Sequence, residues 1–168
     1  MDNPENKITI WVDADSCPSL VRNHTVKMGN KLGLRVVFAA NKKICCDAAA
    51  GTYEMAVCNT GKDAADNYIF ENCKSGDLVI TRDIVFADRL VECGICTIND
   101  RGTEFTREMI KERLSVSDFD KQLAEIGLVK HHHEGYDKKK FAAFANSFDK
   151  VIHRLIRQVV STCSTTSD

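Results

Sequence analysis

The stretch ITIWVDADSCP, residues Ile8–Pro18, passes from a β-rich apolar run straight into two aspartates. Ile8–Val12 reads as a short buried strand that stops at Asp13. Asp15 or Ser16 can cap the helix that follows, and Pro18 suits its first turn. A strand that ends on carboxylates and turns into a helix opens an α/β unit whose ligand edge lies at the strand's carboxyl end.

Outward from that unit the pattern repeats. The first helix is expected to carry Leu20, His24, Met28 and Leu32 on one face by fourfold spacing and to end at Gly33. His24, lying on an apolar stripe, reads as a satisfied core histidine rather than a ligand. Leu34–Ala40 is a second strand ending at Asn41, and Tyr53–Cys58 a third after the loop 42–52. Gly61-Lys62-Asp63 opens a helix through Ala65, Ile69 and Cys73, closed by Ser75-Gly76. Asp77–Thr81 is a fourth strand. Arg82-Asp83 starts the helix Ile84–Cys93, and Ile95–Ile98 is a fifth strand before the turn Asn99-Asp100-Arg101-Gly102. This alternation predicts a three-layer, doubly wound α/β fold with a mainly parallel five-stranded sheet. Extra helices are expected at Thr106–Leu114, Ser117–Ile126 and about Lys139–Val159. The domain spans 8–159, and the Ser/Thr-rich tail 160–168 is expected to be disordered.

A length of 168 residues suits one domain with one core. The net charge of -1 argues against a generic polyanion binder, although the basic excess is gathered after residue 100. No secretory leader opens the sequence and no apolar run reaches the roughly 20 residues of a membrane span, which points to the cytoplasm. Eight cysteines then read mainly as free thiols in a reducing compartment. Cys93-Gly94-Ile95-Cys96 forms a lone C-x-x-C. A zinc site joining it to Cys45, Cys46 or His131–His133 lacks a second correctly spaced pair.

The aspartates collect on the ligand edge. Asp13 and Asp15 follow strand one, Asp83 follows strand four, and Asp63 and Asp66 are close together at the start of the helix leading into strand four. If strands one and four are neighbours, these groups share one mouth. Ionised carboxylates about 4 Å apart repel by roughly 4 kcal/mol at an effective dielectric near 20, so some must protonate or a cation must neutralise them. An all-oxygen site suits Mg²⁺ or Mn²⁺. Ser16 and Thr81 at the same edge can orient ligands or water. Taken singly, Asp15 and Asp83 are equally well read as helix caps, and Asp63 as a first-turn acid. Asp13 is harder to explain that way, because it ends an apolar strand.

Several of these runs carry a likeness. Asp13–Pro18, Ala40-Asn41, Lys62–Asp66, Gly76–Asp83, Asn99–Gly102 and Phe144–Asp149 resemble, in order, motifs of the bacterial YaiI/YqxD family. The resemblance runs from Ile8 to about Leu155. That family looks like a branch of the PIN-domain-like superfamily of metal-dependent ribonuclease folds, which implies sheet order 3-2-1-4-5 and so places strands one and four side by side. Asp13 then resembles the first acidic position, Asp63 and Asp66 the helical acid, and Thr81-x-Asp83 the later motif. The sequence departs from the pattern at Asp100, where a proline is usual, and in Lys130–Lys140, which replaces a small-residue stretch. The triple histidine there reads as a solvated loop that can bind metal adventitiously, and its lysines with Tyr136 and Phe141 as groups able to meet phosphates and stack a base.

The function expected from residues and resemblance together is a Mg²⁺- or Mn²⁺-dependent nuclease acting on RNA or another nucleic acid. Asp13, Asp66 and Asp83 are the expected metal ligands, and Asp15 and Asp63 complete or orient the catalytic set. Ser16, Asn41, Lys62, Thr81, Asn99 and Arg101 are expected on the substrate side, with Lys62 or Arg101 steadying the phosphate. Two other readings stay open: a catalytically silent domain binding RNA or protein through the same surface, and a haloacid-dehalogenase-type phosphatase using Asp13-x-Asp15. Cys17 stands where the latter's motif usually has Thr or Val.

Overall fold

The computed structural model describes residues 8–127 and 135–164. Five strands, β1 (Thr9–Asp13), β2 (Arg35–Ala40), β3 (Glu54–Val57), β4 (Leu78–Ile80) and β5 (Cys96–Ile98), form one parallel sheet in the order β3-β2-β1-β4-β5. The helices are α1 (Ser19–Lys31), α2 (Ala64–Asn72), α3 (Ile84–Glu92), α4 (Arg107–Glu125) and α5 (Lys138–Ser164). From β1 the chain winds outward through β2 to β3, then returns to β4 on β1's other side. The winding of the strand order therefore reverses between β1 and β4, where an open α/β sheet leaves a crevice at its carboxyl edge.

Side-chain alternation along the strands splits the core in two. Ile10, Val12, Val36, Phe38, Leu78, Ile80 and Ile98 face one way and meet α1 and α5 through Val21, Val26, Phe144, Phe148 and Ile152. Trp11, Val37, Ala39 and Val79 face the other way onto Ala65, Ile69, Phe86 and Leu90 of α2 and α3. Both faces are covered, which is why the central strands are apolar throughout rather than alternating. A smaller cluster of Ala87, Phe105 and Ile110 fastens α4 to α3.

Trp11 buries all but 2% of its surface on the second face, and its indole N–H needs a partner there. Asp77 supplies it. Its carboxylate accepts Trp11 Nε1 at 3.0 Å, the Thr9 amide at 2.9 Å and the Lys74 amide at 3.0 Å. A buried charge with three donors ties the amino-terminal ends of β1 and β4 together.

Some expectations are corrected. The buried face of α1 is Val21, Thr25, Val26 and Gly29, and Leu20 is exposed. A Cβ on Gly29 would lie 2.4 Å from Val36 Cγ2, so the helix rides on β2 along the row where it has no side chain. His24, Met28 and Leu32 flank this row, and His24 packs edge-on to Phe141, Phe144 and Phe148. Pro18 occupies the N-cap of α1 rather than its first turn, and no side chain caps that helix. The two helices expected over 106–126 are one, because Ser115-Val116-Ser117 contains no Gly or Pro to break it. Helix α5 continues to Ser164, so the tail is helical where it leaves the domain, and 165–168 lie outside the described residues. His131–His133 also lie outside them. Among the described residues no helix is long and apolar enough to cross a membrane.

Candidate functional site

At the crevice between β1 and β4, Asp13, Asp15, Ser16, Asn41, Asp63, Asp66, Arg82 and Asp83 line one cavity of about 370 Å³. Each is delivered by a different local rule. Asp13 is the last residue of β1, while Asp83 is the N-cap of α3, where its Oδ1 accepts the Phe86 amide at 2.9 Å. Asp63 stands at the N-cap of α2 with φ 60 and makes no capping bond, and Asp66 follows in the first turn.

Thr81 joins the two strand ends. Its hydroxyl donates to Asp13 Oδ2 at 3.0 Å and accepts the Asp83 amide at 3.1 Å. This fixes Asp13 from β1 relative to Asp83 beyond β4. Ser16 Oγ lies 3.5 Å from the same Asp13 oxygen, and Asp15 Oδ2 accepts the Asn41 amide at 2.8 Å, closing the β1 and β2 ends over the mouth.

The clustered charge is visible in the titration of its members. Burial raises the Asp13 carboxyl above the ordinary value; Thr81's bond opposes the rise, and Asp15 and Asp83 add to it by repulsion. Asp66 is pushed up to about 7, first by burial and then by Asp13, Asp83 and Asp63, with Arg89 pulling the other way. The mouth holds more negative charge than its own residues neutralise. Cys17, buried beneath it, has its thiol pushed up by burial, which makes it unfit as a thiolate nucleophile.

Two carboxylates that sequence reading assigned no role are buried, Asp100 beside the mouth and Asp77 at the opposite edge of the sheet. Asp100 is buried and accepts Arg82 Nε at 2.7 Å as well as one terminal guanidinium nitrogen. Its backbone carbonyl accepts the Tyr136 hydroxyl at 2.7 Å. Asp77 is the strand tie described above. The signal for it was a tryptophan in a buried strand with no nearby acceptor in sequence. Asp100 gave no comparable signal, since a turn aspartate is usually solvated.

Of the expected substrate-side residues, Ser16 and Asn41 line the cavity. Thr81 is buried behind Asp13. Lys62 lines an adjoining cavity that shares Asp63, Asp66 and Asp83 and also contains Arg89. Asn99 Oδ1 accepts the amides of Arg101 and Thr103, both at 2.9 Å, so this side chain shapes its own turn. Arg101 does not line the mouth, and the cationic group that does is Arg82. Of the groups expected to stack a base, Tyr136 bonds the Asp100 carbonyl through its hydroxyl and Phe141 packs edge-on to His24.

The family model described as "Uncharacterized BCR, YaiI/YqxD family" matches residues 11–154. The chain belongs to the YaiI/YqxD family. Among its YaiI/YqxD-type relatives, a "UPF0178 protein" of Treponema denticola is 44% identical over 149 residues, covering 89% of this chain and 94% of the relative. Those of Treponema pallidum and Myxococcus xanthus are 39% and 36% identical, over 89% and 88% of the chain and 84% and 96% of the relatives. No solved structure matches the chain. The match of the YaiI/YqxD model takes in every residue of the cavity.

The donor set can be tested against a resident cation. All its ligating atoms are oxygens, and Asp66 is raised to about 7 by burial and by three acidic neighbours, a setting that fits a hard divalent ion. Among the described residues no three His, Cys, Asp or Glu side chains stand close enough to share one ion as they are. Mg²⁺ keeps several waters and is commonly held by one or two carboxylates, so the set fits a hydrated ion rather than an all-protein cage. The zinc alternative gains nothing: Cys93 is exposed and Cys96 contacts Glu104 and Arg154.

Proposed function

We propose that this protein is a divalent-metal-dependent phosphodiesterase that cleaves RNA, built on a PIN-like sheet. The observation that carries the reading is the convergence of Asp13, Asp63, Asp66 and Asp83 on one cavity at the switch point, with Asp66 pushed up to about 7. Asp13, Asp66 and Asp83 would hold a hydrated Mg²⁺ or Mn²⁺, in part through its waters, and the ion would supply charge neutralisation and Lewis acidity at the scissile phosphate. Thr81 keeps Asp13 oriented through its hydroxyl. Asp63, exposed at the rim and free of any capping bond, would accept a proton from an attacking water. Asp15 and Asn41 brace the wall that a strand would lie against.

The test is degradation of single-stranded RNA by the purified protein in Mn²⁺, with Asp13→Asn abolishing it. Activity that survives the substitution contradicts the reading. A second reading, a silent domain that binds RNA without cutting it, is favoured by one feature: Asp15 and Asp83 both spend an oxygen on backbone amides, and no three acids among the described residues stand close enough to share one ion as they are. RNA affinity that persists in chelator, without cleavage in Mn²⁺, selects that alternative.

A further inference from the structure

A mouth lined with carboxylates repels the phosphates it is proposed to receive. A resident cation offsets part of this, but a strand also needs a fixed positive group to hold a phosphoryl oxygen in place. Arg82 is the one cationic side chain lining the mouth among the described residues. It does not neutralise the cluster. Its Nε and one terminal nitrogen are both turned to Asp100, whose side chain is 3% exposed while that of Arg82 is 43% exposed. The bonds from Asp100 fix the plane of the guanidinium, and the other terminal nitrogen has no protein partner among the described residues. Tyr136, just ahead of α5 in the chain, holds the Asp100 backbone through its hydroxyl. An arginine fixed in this way loses little freedom on meeting a phosphate.

We propose that Arg82 is the anion-holding residue of the aspartate mouth, contacting a phosphoryl oxygen of the RNA strand, with Asp100 and Tyr136 as its positioning residues. This rests on the phosphodiesterase reading and adds the group that sets the substrate's register. The side chains expected to do this, Arg101 and Lys62, lie outside this cavity.

The experiment has two arms that fail separately. Mn²⁺ binding to the full chain is followed by calorimetry, and binding of a fluorescent single-stranded RNA 12-mer is followed by anisotropy, in Ca²⁺ and in chelator. Arg82→Gln, which keeps a donor for Asp100, is expected to leave Mn²⁺ affinity within about threefold and to weaken RNA binding at least tenfold. Removing one phosphate contact also lowers the salt dependence of log K by about 0.7. Arg82→Lys recovers part of the affinity, because its charge remains but its fork does not. In an Asp100→Asn background the Arg82→Gln loss shrinks, whereas a merely structural Asp100 leaves the two effects additive.

RNA affinity and salt slope unchanged in Arg82→Gln overturn the assignment, as does a wild-type protein that binds no RNA in either condition. Wild type that binds RNA through Arg82 but takes no Mn²⁺ sinks the metal reading and leaves Arg82 standing.

Discussion

Replacing Asp66 by asparagine should stabilise the metal-free protein at alkaline pH. The Asp66 carboxyl rises from its ordinary 3.8 to about 7 through burial and three acidic neighbours. At about 1.4 kcal/mol per pH unit this corresponds to about 4 kcal/mol in an unscreened site. The side chain is half-buried, so water screening cuts the cost to about 1–2 kcal/mol. Below 3.8 both folded and unfolded chains hold the proton, and Asp66 carries no penalty. Between 3.8 and 7 the unfolded chain releases it while the folded chain keeps it, so stability falls as pH rises. Above 7 the full penalty remains. Urea denaturation in chelator should therefore show Asp66→Asn more stable than wild type by about 1–2 kcal/mol at pH 8.5, with the gap mostly closed at pH 4.5. Added Mg²⁺ should raise wild-type stability at pH 8.5 and leave Asp66→Asn little changed. A difference that is the same at both pH values, or of opposite sign at pH 8.5, refutes the charge-crowding argument.

Thr81→Val removes the hydroxyl between Asp13 and the Asp83 amide. It should cost about 1–2 kcal/mol in thermal unfolding and weaken Mn²⁺ binding severalfold, since Asp13 loses the bond that opposes its protonation. Asp77→Ala strands the Trp11 indole and two backbone amides, with an expected loss of about 3 kcal/mol or more in denaturant titration and no need of metal to see it. Gly102→Ala places a Cβ 2.5 Å from the Ala143 carbonyl at φ +82, and should cost about 1–3 kcal/mol while separating the 99–102 turn from α5. A neutral outcome for either of the last two would mean that the sheet tie or the turn–helix contact adapts more freely than its packing implies.

The sheet was legible because its strands are short apolar runs punctuated by Gly, Asp and Asn, and the order β3-β2-β1-β4-β5 agrees with the one implied by the family resemblance. The helix faces were less so. Fourfold spacing from Leu20 marks a stripe beside the true contact row, which a glycine hides because it adds no hydropathy where it lets two backbones approach. The aspartates of the mouth could be named because they stand at strand ends and helix starts. Their bonds could not, and Asp15 and Asp83 prove to hold backbone amides as well as facing the cavity. Arg82 was read only as a helix-opening residue. Its role depends on Asp100, eighteen residues away and held through its carbonyl by Tyr136, a pairing no local pattern encodes. Asn99 illustrates the converse, since a side chain read as substrate-side has its Oδ1 engaged by two amides of its own turn.

Whether the acidic mouth binds a cation is decided most directly by a crystal of the wild-type protein soaked in Mn²⁺ and measured at the manganese absorption edge. The account predicts an anomalous peak in the cavity within coordination or one-water distance of Asp13 and Asp83, and no peak in Asp13→Asn crystals. Aspartates left bare at saturating Mn²⁺, with the ion found only elsewhere on the surface, would contradict it.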